Sequence, residues 1–161
     1  MSSQVLIDQQ SIAIGAWAKL LRAHSTLRRI LDGQLRADHE LTLNDFEALL
    51  VLSRADGGRM RRVDLSDHLL LTPSGVTRLL DGLEHCGLVE KASCSADARV
   101  TYAVLTDKGR ERLEQAADSH LAAVQAIFEE RFADGELETL SSLLSRLPGA
   151  GGADGTACTP G

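Results

Sequence analysis

The sequence predicts a mainly α-helical chain with one small β-hairpin, arranged as a helix-turn-helix with a projecting wing between long flanking helices. Three observations carry this. Apolar residues recur with helical period over most of the chain; "LLLTPSGVTRLLDGLEHCG" joins two short helices through a tight turn; and two runs rich in Val, Thr and Tyr follow it around a polar tip. Aromatic residues make up only 3% of the 161 positions, so the core must come from Leu, Ala, Val and Ile, which suits helices. The length fits one domain, or a compact core with appended helices.

From Ser11 to about Leu35, the residues Ile12, Ala16, Trp17, Leu20, Leu21, Leu27, Ile30 and Leu31 keep a helical period. "LTLNDFEALLVLSRA" predicts a second helix capped by Thr42, with Leu43, Phe46, Leu49 and Leu50 inward. The paired glycines of "ADGGRM" break the pattern. "RRVDLSDHLLL" then predicts a short helix with Val63, Leu65, Leu69 and Leu70 as its apolar set.

In the helix after it, Thr72 is the expected N-cap and Pro73 the first helical residue, where a missing N–H costs nothing. Val76, Leu79, Leu80 and Leu83 form a buried stripe, and Ser74, Thr77, Arg78 and Asp81 fall on the opposite face. A face that met only water would be rich in Lys and Glu. This one carries small hydrogen-bonding groups and an arginine, as a surface in close contact with a partner would. Gly87 is the expected C-cap.

"LVEKAS", "CSADA" and "RVTYAVL" make the hairpin, and "TDKG" breaks its second strand. A long helix is expected from Arg110 to about Phe132, with Leu113, Ala117, Leu121, Val124 and Phe128 on its apolar side. "ADGELETLSSLLSRLP" predicts a last helix, capped by Asp134, lined by Leu137, Leu140, Leu144 and Leu147, and stopped by Pro148. Residues 148–161 read as a disordered tail.

The net charge of −6 does not exclude a nucleic acid, because the acidity is uneven. Residues 1–53 hold 5 basic and 6 acidic side chains, residues 54–99 hold 7 and 7, and residues 100–161 hold 5 and 10. Arg54, Arg59, Arg61 and Arg62 form a local basic cluster that the total hides. Cys86, Cys94 and Cys158 show neither CxxC spacing nor full pairing, so reduced thiols are expected. With no membrane-length apolar run and no leader in "MSSQVLIDQQ", the expected location is cytoplasmic. Nucleophile motifs, phosphate loops and paired metal-ligand spacings are missing, so no enzyme activity, metal or cofactor is expected. His24, His39, His68, His85 and His120 are scattered, and zinc would need them assembled by the fold.

The order of elements, together with "TPSGVTRLLDGLE" and "DARVTYAVLTDKG", resembles the MarR family of dimeric winged-helix transcription regulators over roughly residues 11–147. The most specific part is Asp97 and Arg99 at the wing tip, followed by "LTDKG" at Leu105 to Gly109. One departure is Leu70, where many members place a glycine; it leaves the turn geometry open by a residue.

The resemblance implies that residues 11–53 and 106–147 form a helical dimerisation region and residues 54–105 a winged helix-turn-helix. The helix at 72–86 would enter the major groove of double-stranded DNA, and the wing arginine a minor groove. On that basis Thr72, Ser74, Gly75, Thr77, Arg78, Asp97, Arg99, Arg61 and Arg62 are the expected DNA-binding residues. Their chemistry agrees: hydroxyl and guanidinium donors at a helix N-terminus suit bases and phosphates, and an arginine on a hairpin suits a narrow minor groove. One residue at a time, a solvated face and an Arg99–Asp97 pair explain them as well; the joint pattern favours DNA.

Relatives also bind aromatic or phenolic effectors between the dimer helices and the winged part. Trp17, His24 and Arg28 are the candidate ligand residues here, with Trp17 otherwise a dimer-core residue. The expected function is thus a homodimeric, ligand-responsive repressor on a pseudo-palindromic operator. The alternative is a winged-helix protein–protein interaction module without DNA binding.

Overall fold

The computed structural model describes residues 12–93 and 99–149. The wing tip "CSADA", with Cys94 and Asp97, lies outside them, as does the tail from residue 150 on. Six α-helices and a three-stranded antiparallel sheet follow one another: α1 Ile12–His39, α2 Leu43–Arg54, β1 Arg59–Arg61, α3 Arg62–Leu69, α4 Pro73–His85, β2 Val89–Ser93, β3 Thr101–Leu105, α5 Asp107–Glu129 and α6 Asp134–Leu144.

Helix α1 runs four residues past its expected end; Leu35 is fully buried, and His39 is held by α5, its carbonyl accepting from Arg112 at 2.9 Å. The chain then turns at Glu40 in the left-handed conformation, φ 56°. Asp32 on α1 takes the backbone N–H of Leu43 at 2.9 Å and the Arg36 guanidinium at 2.6 Å. These two contacts, the N–H first, hold its carboxyl below the ordinary range. Thr42 caps α2 as expected, in a reciprocal box with Asp45.

Strand β1 is an element the sequence reading did not contain. Gly57 and Gly58, with φ of 62° and 65°, turn the chain through a single 3₁₀ turn and deliver Arg59–Arg61 to the sheet edge. The sheet order is β1-β3-β2, with Met60 opposite Ala103 and Lys91 opposite the same residue on the other side. Three polar-flanked residues are too few to show an alternating pattern. Arg59, expected in a basic cluster, lies over the Tyr102 ring at 4.1 Å.

Two expected apolar positions of α3 are overturned. Val63 is 60% exposed and Leu70 is 92% exposed; Leu65 alone of the set is fully buried. The helix stops at Leu69, so Leu70 belongs to the turn, where its φ of 52° and ψ of 38° place it in the left-handed region. That is the conformation a glycine would supply, so the departure at Leu70 changes the residue and keeps the turn.

The core gathers around α2, with Leu49, Leu52, Leu65, Leu80 and Ala103 fully buried. "TDKG" starts α5 rather than merely ending a strand. Thr106 is the N-cap, accepting the N–H of Gly109 at 3.0 Å, and the helix begins at Asp107, three residues before the expected start. A Cβ on Gly109 would stand 2.0 Å from the carbonyl oxygen of Leu88. The glycine therefore lets α5 lie against the end of α4's connection to β2.

On α5 the buried residues are Leu113, Ala116 and His120, whereas Leu121 is 57% exposed. Helix α6 is capped by Ala133, whose N–H donates to Glu136 at 2.9 Å, so Asp134 is its first residue and not its cap. No residue of α6 is buried. Among the described residues, no helix is long and apolar enough to cross a membrane.

Candidate nucleic-acid interface

Helix α4 presents the predicted face. Its stripe of Val76, Leu80 and Leu83 is buried, and Ser74, Arg78 and Asp81 are exposed. Thr72 caps it by accepting the N–H of Gly75 at 3.2 Å, with Pro73 next in the chain as the first helical residue. Ser74 Oγ lies 3.2 Å from the same threonine oxygen. A Cβ on Gly75 would come within 3.2 Å of that oxygen, so this glycine leaves room for the cap. The other end closes with Gly87 at φ 72°, its N–H on Glu84 O and the Leu88 N–H on Leu83 O.

Thr77 is more tightly engaged than the sequence suggested. Its hydroxyl donates to the carbonyl of Pro73 at 2.9 Å and accepts a hydrogen bond from Arg62 Nη2. Arg62 thus crosses from α3 to α4 instead of extending outward. Arg61 beside it forms a two-point contact with Asp64, at 2.6 and 2.8 Å.

Arg99, two residues before β3, is exposed. Arg61, Arg62 and Arg99 meet around a cavity of about 550 Å³ that Pro73 and Val76 also line. Adjacent Arg61 and Arg62 and the distant Arg99 therefore stand beside the N-terminal end of α4. Arg54 closes α2, and Arg59 is turned onto Tyr102, so the linear basic cluster divides between two places.

Two lysines were missed by sequence reasoning. Lys91 on β2 pairs with Asp81 at 2.5 Å and Glu84 at 3.0 Å, which raises its own pKa and neutralises carboxylates along the exposed side of α4. Lys108 Nζ donates to the carbonyl of Cys86 at 2.7 Å, supplying a positive group at the C-terminal end of α4. Neither partner is near in sequence, and no local signal could have found them.

The proposed ligand residues all lie on α1. Trp17 is 58% exposed and His24 is exposed. Arg28 is bound to α2, through Glu47 at 2.9 Å and Asn44 at 2.6 Å. Its guanidinium thus reaches from α1 to α2. The hollow beside it, about 260 Å³, is lined by Arg29, Asp32, Leu43 and Asn44, not by Trp17 or His24.

His120 lies 7% exposed with its ring 4.5 Å from that of Phe46. Its Nδ1 makes no hydrogen bond among the described residues. Burial pushes its pKa down, against the opposing pull of Glu47.

A short helix leading through a tight turn into an exposed helix, flanked by a two-stranded wing, defines the winged helix-turn-helix class. A sequence model of the MarR family matches residues 39–100. Among solved structures, AbsC, a MarR family transcriptional regulator from Streptomyces coelicolor, superimposes with a TM-score of 0.74 at 31% identity over 84% of this chain and 92% of that one. The chain belongs to the MarR family of transcriptional regulators. A second MarR family regulator of Streptomyces coelicolor, Sco3205, solved in complex with DNA, has a TM-score of 0.74 at 27% identity over 81% of each chain. The HTH-type transcriptional repressor YetL of Bacillus subtilis is 30% identical over 111 residues, 69% of this chain. That match spans 66% of YetL, and the corresponding figure for its Bacillus subtilis relative YdgJ is 58%.

Proposed function

We propose that this chain acts as a homodimer that binds a pseudo-palindromic operator in double-stranded DNA, represses transcription there, and is released by a small aromatic or phenolic effector. The observation that carries this is the exposed Ser74–Arg78 face of α4 standing beside the cavity shared by Arg61, Arg62 and Arg99. In this reading Thr72, Ser74, Gly75, Thr77 and Arg78 meet the major groove, and Asp97 and Arg99 carry the wing to the minor groove. Residues 54–105 form the DNA-binding region. Residues 11–53 and 106–147 form the dimer, in keeping with the exposed Ile12, Ile14, Trp17, Leu121 and Leu143 on α1, α5 and α6. Sco3205 was solved with DNA and YetL is named a repressor, which supports the same assignment for this chain.

The test is selection of retained fragments from a double-stranded genomic pool, followed by titration of variants at several salt concentrations. Arg78→Ala should weaken binding by about 1–3 kcal/mol per half-site and relax preference at one position. Arg99→Ala should weaken many operators alike and flatten the salt dependence by about one charge per wing. Aromatic carboxylates and phenols added to the complex should lower its affinity. If no fragment is retained, the interaction-module reading replaces this one.

A further inference from the structure

We infer that Thr77 reads a thymine through its methyl group, and that Arg62 is the positioning residue that makes it do so. The inference rests on the DNA-binding reading and concerns how one side chain of that face is used.

A threonine offers a hydroxyl, which can donate once and accept, and a methyl group, which can only pack. In this fold the hydroxyl's proton and one of its two lone pairs are committed within the protein. Its proton goes back one helical turn to the carbonyl of Pro73 at 2.9 Å, and it accepts from Arg62 Nη2. The first contact is open to threonine in either of two helical rotamers, so it does not choose between them. The second holds one of them from outside the helix, from a residue 15 positions away on α3.

Arg62 is suited to this task more than to a phosphate. Its side chain is part-buried, and its Nε is buried with no hydrogen bond among the described residues. Swinging outward would sacrifice the Thr77 contact. Asp67 and Ser66 line the same cavity. With the hydroxyl turned inward along α4, what Thr77 contributes beside exposed Ser74 and Arg78 is the methyl group. The major groove offers one apolar partner for it, the C5-methyl of thymine.

The experiment uses the full chain and an operator obtained by selection, with each thymine replaced in turn by deoxyuridine, which lacks only the methyl group. One thymine per half-site should lose about fourfold in affinity on replacement, the worth of one buried methyl group. Thr77→Val, whose one preferred helical rotamer fills both γ positions with methyl groups and so needs no hold from Arg62, should retain that ratio. Thr77→Ser, which does the reverse, should bring it to about one. Arg62→Ala should also reduce the ratio, although it leaves Thr77 in place; a purely structural role for Arg62 would weaken both operators equally. Because each variant is compared on two operators, a loss of folded protein cancels. An operator bound well but indifferent to every replacement overturns this inference alone, as does a ratio that survives Thr77→Ser. Failure to select any operator overturns the DNA-binding reading and this inference with it.

Discussion

Leu70 holds a left-handed backbone with its side chain 92% exposed. The left-handed region costs a side-chain-bearing residue about 1–2 kcal/mol, and an exposed leucine recovers little of it by packing. Leu70→Gly should therefore raise stability by up to about 1 kcal/mol, after the larger unfolded-state entropy of glycine is deducted. Urea denaturation with an unchanged slope checks this; a drop in midpoint would mean that Leu70 makes a contact in the folded state after all.

His120 makes the second statement at this scale. Burial favours its neutral form, so its folded pKa lies below its unfolded one. The stability that follows is complete above about pH 6.5, the ordinary imidazole value, and is lost as pH falls through the folded value. Melting temperature should decline over that window, and His120→Leu should flatten the decline. Asp32 works in a separate window. Its lowered pKa gives stability that is present above the ordinary carboxylate value and lost as pH falls through the folded one.

Between elements, the wing strand and α4 are tied by Lys91. Without it, the carboxylates of Asp81 and Glu84 would stand uncompensated on the helix that carries Ser74 and Arg78. Lys91→Ala should weaken operator binding several-fold at low salt, with the loss shrinking as salt rises, because the exposed carboxylates repel phosphates over a Debye length. Thermal stability should change little, since exposed ion pairs contribute little. A salt-independent loss would instead point to a displaced wing. The pairing of α5 with the α4–β2 connection is of a different kind: Gly109 allows it by having no side chain, and Thr106 fixes its start.

For the whole molecule, the apolar residues left uncovered, Val63 and Leu70 apart, lie on or just beyond α1, α5 and α6. A second copy is the proposed cover, and Trp17, the chain's single tryptophan, reports on it. At 58% exposure in the protomer it should emit like a solvated indole when alone and shift to the blue when dimerised. The unfolding midpoint should rise with protein concentration in parallel. Solvent-like emission at every concentration, with a constant midpoint, would remove the dimer.

The sequence by itself determined every helix and the hairpin, because those signals are local. The Thr72–Pro73 start, the Gly87 stop and the Val76–Leu83 stripe lie within a few turns of one another, and spacing alone reveals them. It also placed Ser74 and Arg78 outward. Only the tertiary structure decided what those residues could do. Strand β1 exists because β3 offers it an edge, and Leu70 takes a glycine's conformation because α3 and α4 must meet there. Thr77 is engaged by Arg62 from 15 residues away, Lys91 by Asp81 from 10, and Arg28 by Glu47 from 19. Periodicity reports which side of a helix is buried, but a hydrogen bond between elements depends on where the chain brings two side chains within about 3 Å of each other, and that is set by packing.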